Sequence, residues 1–255
     1  GSALQFGPEY LIPKPFDPRL LVRLAPAVAA AAMEEGVATR PLPDLRAYRD
    51  QLRQFVHHSG TLMKPMFAAA REAPDEFKRI AFAEGEDERV LRAVQTLVDE
   101  NIARPTLVGR PAVIAHRIER ERLRLVEGEH YTVVNPESDP RYREYWEDYR
   151  RMQARHGMTP SFAKLEMRRR TTLIAAMLLK KGEVDGMVCG SISTPAAHLH
   201  YIDQVLGRRP GASVYAAMNG LVLPGRQVFL VDTHVNLDPS AEEIADITLL
   251  AANRL

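Results

Sequence analysis

The sequence predicts an α/β protein with a doubly wound parallel sheet that is preceded by a helical arm. From residue 78 onward, short apolar runs alternate with segments of helical periodicity, which is the pattern of parallel strands joined by helices. The first 70 residues show helical periodicity without strand patterns. A third observation is an apolar run that ends at Gly190 and is followed by small hydroxyl residues. Open α/β sheets bind ligands at such carboxyl ends of strands, so we expect a ligand there.

The composition excludes several classes of protein and of binding site. With 255 residues, 45% of them hydrophobic, the chain can bury a sizeable core as one large domain or two small ones. The net charge of +1 provides no global field for nucleic acid or an anionic membrane. Cys189 is the only cysteine, which excludes an intramolecular disulfide and a multi-cysteine zinc site. No apolar run reaches about 18 residues, so we predict no transmembrane helix and expect a cytoplasmic protein.

Two helices are predicted in the arm. Asp17 caps the first and Pro18 opens it, and Gly36 can end it. The second follows the break at residues 40–43. The apolar side chains of the second helix are Tyr48, Leu52, Phe55 and Val56. Because one amphipathic pair cannot bury both of its apolar faces, this arm is expected to pack on another part of the protein.

The α/β pattern then proceeds strand by strand. Residues 79–83 are predicted to form the first strand, and residues 87–101 a helix whose valines and leucine face the sheet. A second strand follows over 102–109, where Pro105 indicates the edge or the start of a strand. Pro111 opens the next helix. Residues 131–135 form the third predicted strand.

The segment from Thr159 to Gly190 is predicted to form one helix, a tight turn and one buried parallel strand. Thr159 is a suitable N-cap, Pro160 occupies the first helical position, and apolar residues continue to Leu179. Gly182 supplies the turn. The residue pattern alone is equally compatible with an ordinary helix-to-strand connection that binds no ligand.

Beyond Gly207 we predict a second α/β unit. Its strands are expected at residues 213–218 and 228–232, with a turn at 223–226, and Ser240 with Glu243 forms a capping box that opens a helix. The polar residues after the second of these strands form either a ligand loop or a simple cap and turn. The helix from Ser240 still shows its apolar period where the sequence ends, so we expect the second lobe to be incomplete.

Three charged or histidine-containing stretches have simple structural interpretations. Residues 117–124 mix both signs at helical spacing and are predicted to be a solvated helix face. Residues 168–170 are three consecutive arginines, which could meet a phosphate but are more simply placed in solvent or against a partner subunit. His57 and His58 lack a third ligand at metal spacing. The chain also contains neither a G-x-G-x-x-G fingerprint nor a P-loop.

Two segments resemble the phosphate acetyltransferase family. Residues 182–190 are similar to the family segment "lgeaDGlvsGa", and residues 83–90 are similar to its opening segment "pEgeDeRv". The resemblance implies the two-lobed α/β fold that this family shares with isocitrate dehydrogenases. The loop at 232–236 resembles a family loop at the cleft between the two lobes.

The arm resembles a different protein family. Residues 6–17, together with Met63, Lys64 and Pro65, are similar to the carboxyl-terminal tail of bacterial malic enzymes, which in the hybrid malic enzymes leads into a phosphate-acetyltransferase-like domain. This resemblance implies a malic tail and linker over 1–74, a first lobe over 75–206 and the start of a second lobe over 207–255. It also implies a parent malic domain that uses NADP and Mg²⁺ or Mn²⁺, and a homo-oligomeric assembly.

The residues expected for acetyl transfer are missing at the positions that align with the family. Transfer between coenzyme A and phosphate needs cations for the phosphate and for the developing oxyanion. The two arginines of the family align with Gln153 and His200, and a hydroxyl residue of its phosphate loop aligns with Pro195. Arg155 is a poor substitute for the first, because two positions on a helix turn the side chain by about 200°. An amide and a neutral imidazole cannot replace two fixed guanidinium charges.

Three functional hypotheses follow from these resemblances. The first is a regulatory domain that binds acetyl-CoA as an effector, inside a parent that decarboxylates malate oxidatively to pyruvate. The second is an active phosphate acetyltransferase, and the third is an architectural oligomerisation domain. Under the first hypothesis the chain has no catalytic residue and no metal ligand. The residues expected to bind acyl-CoA are Ser191, Ser193, Thr194, His200, Asp232, Thr233 and Asn236.

Overall fold

The computed structural model describes residues 18–56, 60–74, 78–223 and 226–253. It divides into two compact units. One consists of residues 1–66 with 221–228, and the other of residues 67–220 with 229–255. The expected boundaries after residues 74 and 206 stay predictions. None of the described helices is both long and apolar enough to cross a bilayer.

The arm contains the helices that the sequence predicts. Helix α1 spans Pro18–Glu34, α2 spans Leu45–Val56, and the two pack against each other. Gly36 follows α1 with a φ of +71°, where glycine is favoured. A third helix, α3, spans Gly60–Glu72 and was not predicted. The N-cap assigned to Asp17 and the metal question at His57 and His58 lie outside the described residues.

A four-stranded parallel sheet forms the centre of the larger unit. Strands β1 (Arg79–Phe82), β2 (Arg104–Val108), β3 (Thr132–Val134) and β4 (Gly186–Val188) lie in the order β3-β2-β1-β4. All three pairings are parallel. The chain therefore builds outward from β1 in one direction and then returns to pair β4 on its other side. This reversal is the topological switch point of a doubly wound sheet, which confirms the predicted fold class.

Helices cover both faces of the sheet. Along β1, Ala81 belongs to one buried cluster and Phe82 to another, because successive strand residues point to opposite faces. The Phe82 face packs on α4 (Glu88–Asp99) and α5 (Pro111–Arg120). The Ala81 face packs on the remaining helices of this region. These are α6 (Tyr142–Met152), α7 (Pro160–Arg169), α8 (Thr171–Lys180) and α9 (Pro195–Val205).

The charged side chains at 117–124 form a largely solvated face, as predicted. Arg120 and Arg124 are 51% and 78% exposed, and they pair with Glu88 and Asp99 of α4. Exposed pairs of this kind are individually worth little, about 0–1 kcal/mol.

The prediction of a single helix from Thr159 to Leu179 is wrong, because the helix breaks at Arg170. Thr159 caps α7 by accepting from the Phe162 amide, as predicted. Arg170, however, is extended, with φ −108° and ψ 93°, and a second helix starts at Thr171. The second helix starts with two threonines. These β-branched residues have a low propensity for helix interiors. The hydroxyl of Thr172 is held by His198, which lies 26 residues away in the sequence.

Two strand predictions also need correction. Strand β4 is not buried, since no described strand pairs with its outer edge and Val188 is 51% exposed. The strand expected at 213–218 begins only at Met218, where β5 (Met218–Leu223) pairs with β6 (Arg226–Val231). The backbone carbonyls of Ser213 and Tyr215 accept from side chains instead of a neighbouring strand, whereas the Ala217 carbonyl accepts from the Asp232 amide. The donor to Ser213 is Arg208, and the donor to Tyr215 is Asn236.

The final described helix, α10 (Ala241–Ala252), starts where the sequence places it. Ser240 accepts from the amide of Glu243, and the Glu243 carboxylate accepts from the amide of Ser240, which completes the predicted capping box. Ile247 is buried on its inner face, while Leu249 is 62% exposed.

Candidate functional site

A cleft of about 380 Å³ opens at the carboxyl ends of the parallel strands. Every strand of the sheet contributes to its lining through the residues that follow it. Glu84 follows β1, Gly109 follows β2, Pro136 follows β3, and Ser193 lies in the loop after β4. The α7–α8 junction and the first turns of α9 complete the walls. The cleft therefore lies at the switch point, where doubly wound sheets bind their ligands.

Glu84 connects the first and last strands at the floor of the cleft. Its side chain is buried, and its Oε1 accepts from the Gly190 amide at 3.0 Å. Gly190 has a φ of +112°, so a residue with a side chain would be strained there. The same carboxylate oxygen lies 3.7 Å from Nε2 of His198. Glu84 thus holds the loop after β4 against the end of β1.

His198 is a buried link between three segments of the cleft wall. Its Nε2 lies 2.6 Å from the Ile192 carbonyl, and its Nδ1 lies 2.8 Å from the Thr172 hydroxyl. A carbonyl can only accept, so in the neutral ring Nε2 carries the proton and Nδ1 accepts from Thr172. Both His198 and Thr172 are less than a tenth exposed. The imidazole therefore ties α8 and α9 to the loop after β4.

In the acidic motif after β1, the carboxylates of Glu86 and Asp87 form hydrogen bonds and ion pairs with neighbouring arginines. Hydrogen bonds from the Arg110 side chain hold the pKa of Glu86 below its ordinary value. Hydrogen bonding from the Arg89 side chain lowers the pKa of Asp87 in the same way, and Asp87 also caps α4. Arg89 in turn donates to the Ser191 carbonyl at 2.6 Å. These carboxylates consequently stay ionised and paired, and are poor candidates for acid or base catalysis.

Three consecutive arginines at the α7–α8 junction line the cleft. Arg168 lies over the Tyr142 ring at 4.9 Å, and Arg170 lies over the Tyr201 ring at 5.8 Å while its Nε is 3.4 Å from Glu166. Arg169 has no hydrogen-bond or ion-pair partner in the described part of the chain. All three arginines are exposed, as the solvated interpretation expects, and they also line the cleft.

Of the residues expected to bind acyl-CoA, the first three lie at or beside the cleft. Ser193 lines it, is exposed, and has a φ of +82°, which is rare for a residue other than glycine. Ser191 contributes its carbonyl to Arg89, as described above. Thr194 is the N-cap of α9 and accepts from the Ala197 amide, so its hydroxyl has a structural task.

The structure does not bring His200 or Gln153 to the cleft. His200 is exposed on α9, where Nε2 lies 3.0 Å from the Gln204 amide nitrogen, and it is absent from the lining. Gln153 is 6% exposed and donates to the Gln204 carbonyl at 2.9 Å. Pro195 is the first residue of α9. None of these three positions therefore supplies a cation to the cleft.

The loop after β6 is held by bonds of its own. Asp232 has a φ of +56° and accepts from the Asn236 amide at 3.3 Å. The Asn236 side chain donates to the Tyr215 carbonyl at 2.7 Å, and Thr233 accepts from Asn219 at 3.0 Å. None of Asp232, Thr233 and Asn236 lines the cleft. Their assignment to acyl-CoA binding stays a prediction, and the geometry favours the cap-and-turn alternative.

Two further features concern reactive groups. Cys189 is half-buried at the end of β4, and burial raises the pKa of its thiol. Within residues 18–56, 60–74, 78–223 and 226–253, no three histidine, cysteine, aspartate or glutamate side chains are grouped so that they could hold a metal ion.

Sequence reasoning missed the buried polar part of the site. Glu84 was quoted only as part of a motif, and Thr172 and His198 were not singled out. A signal for His198 did exist, because Thr194 and Pro195 form the same N-cap and first-position pair that predicts α7. Recognising α9 would have placed His198 one turn into a helix that starts at the loop after β4.

Comparison with known proteins identifies relatives over the whole chain. A family described as Phosphate acetyl/butaryl transferase matches residues 61–255. An NAD-dependent malic enzyme of Rhizobium meliloti is 48% identical over 255 residues, which are 100% of this chain and 33% of that protein. An NADP-dependent malic enzyme of Escherichia coli is 48% identical over 249 residues, covering 98% and 32%. The chain thus spans about a third of the length of these relatives.

The solved structures agree with the fold. A phosphotransacetylase from Streptococcus pyogenes superposes with a TM-score of 0.62 at 26% identity, covering 73% of this chain and 56% of that one. The match therefore covers about three quarters of this chain.

Proposed function

Because the chain belongs to the phosphate acetyl/butaryl transferase family, we propose that it is a regulatory domain that binds acetyl-CoA without transferring its acetyl group. This proposal rests on a cleft that is present but lacks cations at the aligned positions. A ligand-sized cleft is kept at the switch point, while the positions aligned with the family arginines are a buried amide, Gln153, and an outward imidazole, His200. Binding without turnover is the property that an effector site requires.

The proposed parent is a malic enzyme that oxidatively decarboxylates malate to pyruvate. Support comes from two relatives that are malic enzymes and match essentially the whole chain, including the arm that precedes the sheet. We assign NADP and Mg²⁺ or Mn²⁺ to the malic domain, and acetyl-CoA to the present chain. A homo-oligomeric, cytoplasmic enzyme completes the proposal.

An active phosphate acetyltransferase is the alternative, and two observations favour it. The arginines at 168–170 line the cleft, so guanidinium groups are present even though they do not occupy the aligned positions. The Thr172 hydroxyl also has a histidine nitrogen as its acceptor, which is how a nucleophile and a base are paired. Both groups are buried, however, and their hydrogen bonds are satisfied by the fold.

Binding is tested by titrating the full-length protein with acetyl-CoA in a calorimeter, in the absence of malate and nucleotide. We expect saturable binding at one site per chain. Coenzyme A and acetate, titrated separately, serve as controls for the parts of the ligand. No heat beyond dilution would reject the regulatory proposal and leave the architectural one.

Turnover is tested separately, and we expect no acetyl phosphate from acetyl-CoA and inorganic phosphate. The physical reason is that no fixed cation occupies either aligned position to stabilise the transferring phosphate and the oxyanion. Loss of a single such donor costs roughly 10²–10³ in rate in other acyl-transfer enzymes. Acetyl phosphate is trapped as the hydroxamate and compared with a reaction lacking protein. Formation above that background, abolished by Arg169→Gln, would establish the transferase alternative instead.

A further inference from the structure

The α7–α8 junction lines the cleft with arginines that the fold does not neutralise. In one continuous helix, successive side chains would be separated by about 100° and would face three directions. The break at the extended Arg170 removes that constraint and brings residues 168–170 to the same cleft. The position of the three charges is therefore a consequence of the break rather than of helical periodicity.

Two guanidinium groups at the cleft have no carboxylate partner. Arg110 pairs with Glu86 at 2.8 Å, and Arg170 pairs with Glu166 at 3.4 Å. Among the described residues, Arg168 has no hydrogen bond or ion pair and lies over the face of Tyr142, and Arg169 has no partner.

None of the carboxylates that line the cleft forms an ion pair with Arg168 or Arg169 in the described part of the chain. Glu86 and Asp87 are paired with arginines, and Glu84 is buried with its oxygen bonded to the Gly190 amide. Glu137 is the one lining carboxylate whose side chain has no hydrogen bond in the described part of the chain. Two guanidinium groups that lack a carboxylate partner can bind an anion that enters the cleft.

Neighbouring groups match a tetrahedral oxyanion. Thr171 lines the cleft, and its hydroxyl has no hydrogen-bond partner among the described residues. Arg170, the N-cap of α8, makes no side-chain bond to the first amides of that helix. Two guanidinium forks and a hydroxyl provide more donors than a carboxylate can accept, and they suit the several oxygens of a phosphate.

We propose that Arg168 and Arg169, together with Thr171, bind a phosphate group at the α7–α8 side of the cleft. The phosphate is either a free ion or part of a larger ligand such as acyl-CoA. The second case rests on the proposed function, whereas the first does not. The site is separate from the aligned positions Gln153 and His200, neither of which lines the cleft.

The experiment uses the full-length protein with inorganic phosphate as the probe, at constant ionic strength because exposed charges are screened by salt. Phosphate affinity is measured by calorimetry for the unmutated protein and for Arg169→Gln, Arg169→Lys and the double variant Arg168→Gln with Arg169→Gln. Arg143→Gln is the matched control, since it removes one positive charge from an arginine that is 84% exposed and absent from the cleft lining. All five proteins are also titrated with acetyl-CoA.

We expect Arg169→Gln to weaken phosphate binding roughly tenfold or more, because it removes a charge-assisted hydrogen-bond donor to the anion. Arg169→Lys should have an intermediate phosphate affinity, since lysine keeps the positive charge but loses the forked donor geometry of the guanidinium group. Arg143→Gln should bind phosphate normally. A parallel loss of acetyl-CoA affinity would assign the phosphate to acyl-CoA, and unchanged acetyl-CoA affinity would assign it to the free ion. Either pattern supports the site.

Two results would overturn the phosphate site. One is the absence of phosphate binding by the unmutated protein, even if acetyl-CoA binds. The other is a phosphate affinity that is the same in the double variant and in the control. Failure of acetyl-CoA to bind while phosphate binds normally would instead reject the proposed function and leave this site intact.

Discussion

Acetyl-CoA is expected to inhibit malate decarboxylation by the full-length protein that contains this chain, and Ser193→Trp is expected to relieve that inhibition. Ser193 is exposed and lines the cleft, so an indole at this position occupies ligand space rather than the core. Coupling between two sites is typically about 1–3 kcal/mol, which corresponds to a change of about 5–150-fold in affinity. Inhibition should therefore shift by a factor in that range, while malate turnover without acetyl-CoA stays near normal.

The backbone at Ser193 calls for a matched control. Its φ of +82° is unfavourable for any residue with a side chain, so a bulky substitution combines filling with strain. Ser193→Gly removes the strain and leaves the cleft open, and this variant should remain inhibited by acetyl-CoA. Steady-state rates over a range of acetyl-CoA concentrations distinguish the variants. Full inhibition of Ser193→Trp would show that the ligand does not bind in this cleft, and an unmutated protein that ignores acetyl-CoA would reject the sensor.

Reciprocity provides an independent check on the same coupling. If acetyl-CoA weakens binding of malate to the active state, malate and its nucleotide must weaken binding of acetyl-CoA by the same factor. The covalent arm at residues 6–65 is the route that we propose for this coupling. Titrations of acetyl-CoA with and without saturating malate measure the factor directly.

Gly85→Ala is expected to destabilise the fold by about 1–3 kcal/mol through overpacking. A Cβ at Gly85 would lie 2.8 Å from Cβ of Leu107 and 2.9 Å from the Val108 carbonyl oxygen. Both neighbours belong to β2, so relief would require the two central strands to separate. The φ of Gly85 lies outside the left-handed region, which leaves the close approach as the cause. The urea midpoint of the 255-residue chain, followed by circular dichroism, measures the effect.

Gly186→Ala is the matched control for this prediction. A Cβ there would meet only Cδ1 of Ile80, at 3.0 Å, and the end of that flexible side chain can move aside. The lower entropy of the unfolded chain stabilises Ala relative to Gly by about 0.4–1 kcal/mol, so the control should lie within about 1 kcal/mol of the unmutated chain. Equal midpoints for the two variants would contradict the packing argument.

The parts of the fold that follow from local chemistry were predictable. Thr159 and Ser240 begin helices because a side-chain oxygen accepts from an amide three residues on, and that spacing is visible in the sequence. The strands β1, β2 and β3 were likewise located by short apolar runs. The break at Arg170 was not predictable in this way. Beside the break, the Thr172 hydroxyl bonds to His198, and these two positions become neighbours only in the folded chain.

At the candidate site, too, features set by local sequence were predicted, and features that depend on the folded chain were not. Ser193 lies at the cleft because it follows a parallel strand, and β4 was predicted from the apolar run that ends at Gly190. The assignment of Ser193 to acyl-CoA binding stays a prediction. The arginines at 168–170 were assigned to solvent or a partner subunit; they are exposed, and their common position at the cleft follows from the break at Arg170. Asp232 was assigned by resemblance alone, and its backbone contacts within its own loop could not be inferred from that.

The rate at which thiol reagents modify Cys189 can report on the edge of this sheet. Thiol reagents attack the thiolate, and the burial that raises the pKa of Cys189 also restricts access to its sulfur. Because Cys189 is half-buried, modification in the native chain should be slower than in the unfolded chain without being blocked. The labelling rate divided by the intrinsic rate therefore measures how far the packing at the end of β4 protects the sulfur. Because the 255-residue chain has no second cysteine, every alkylation reports on this one position at the strand that leads into the cleft.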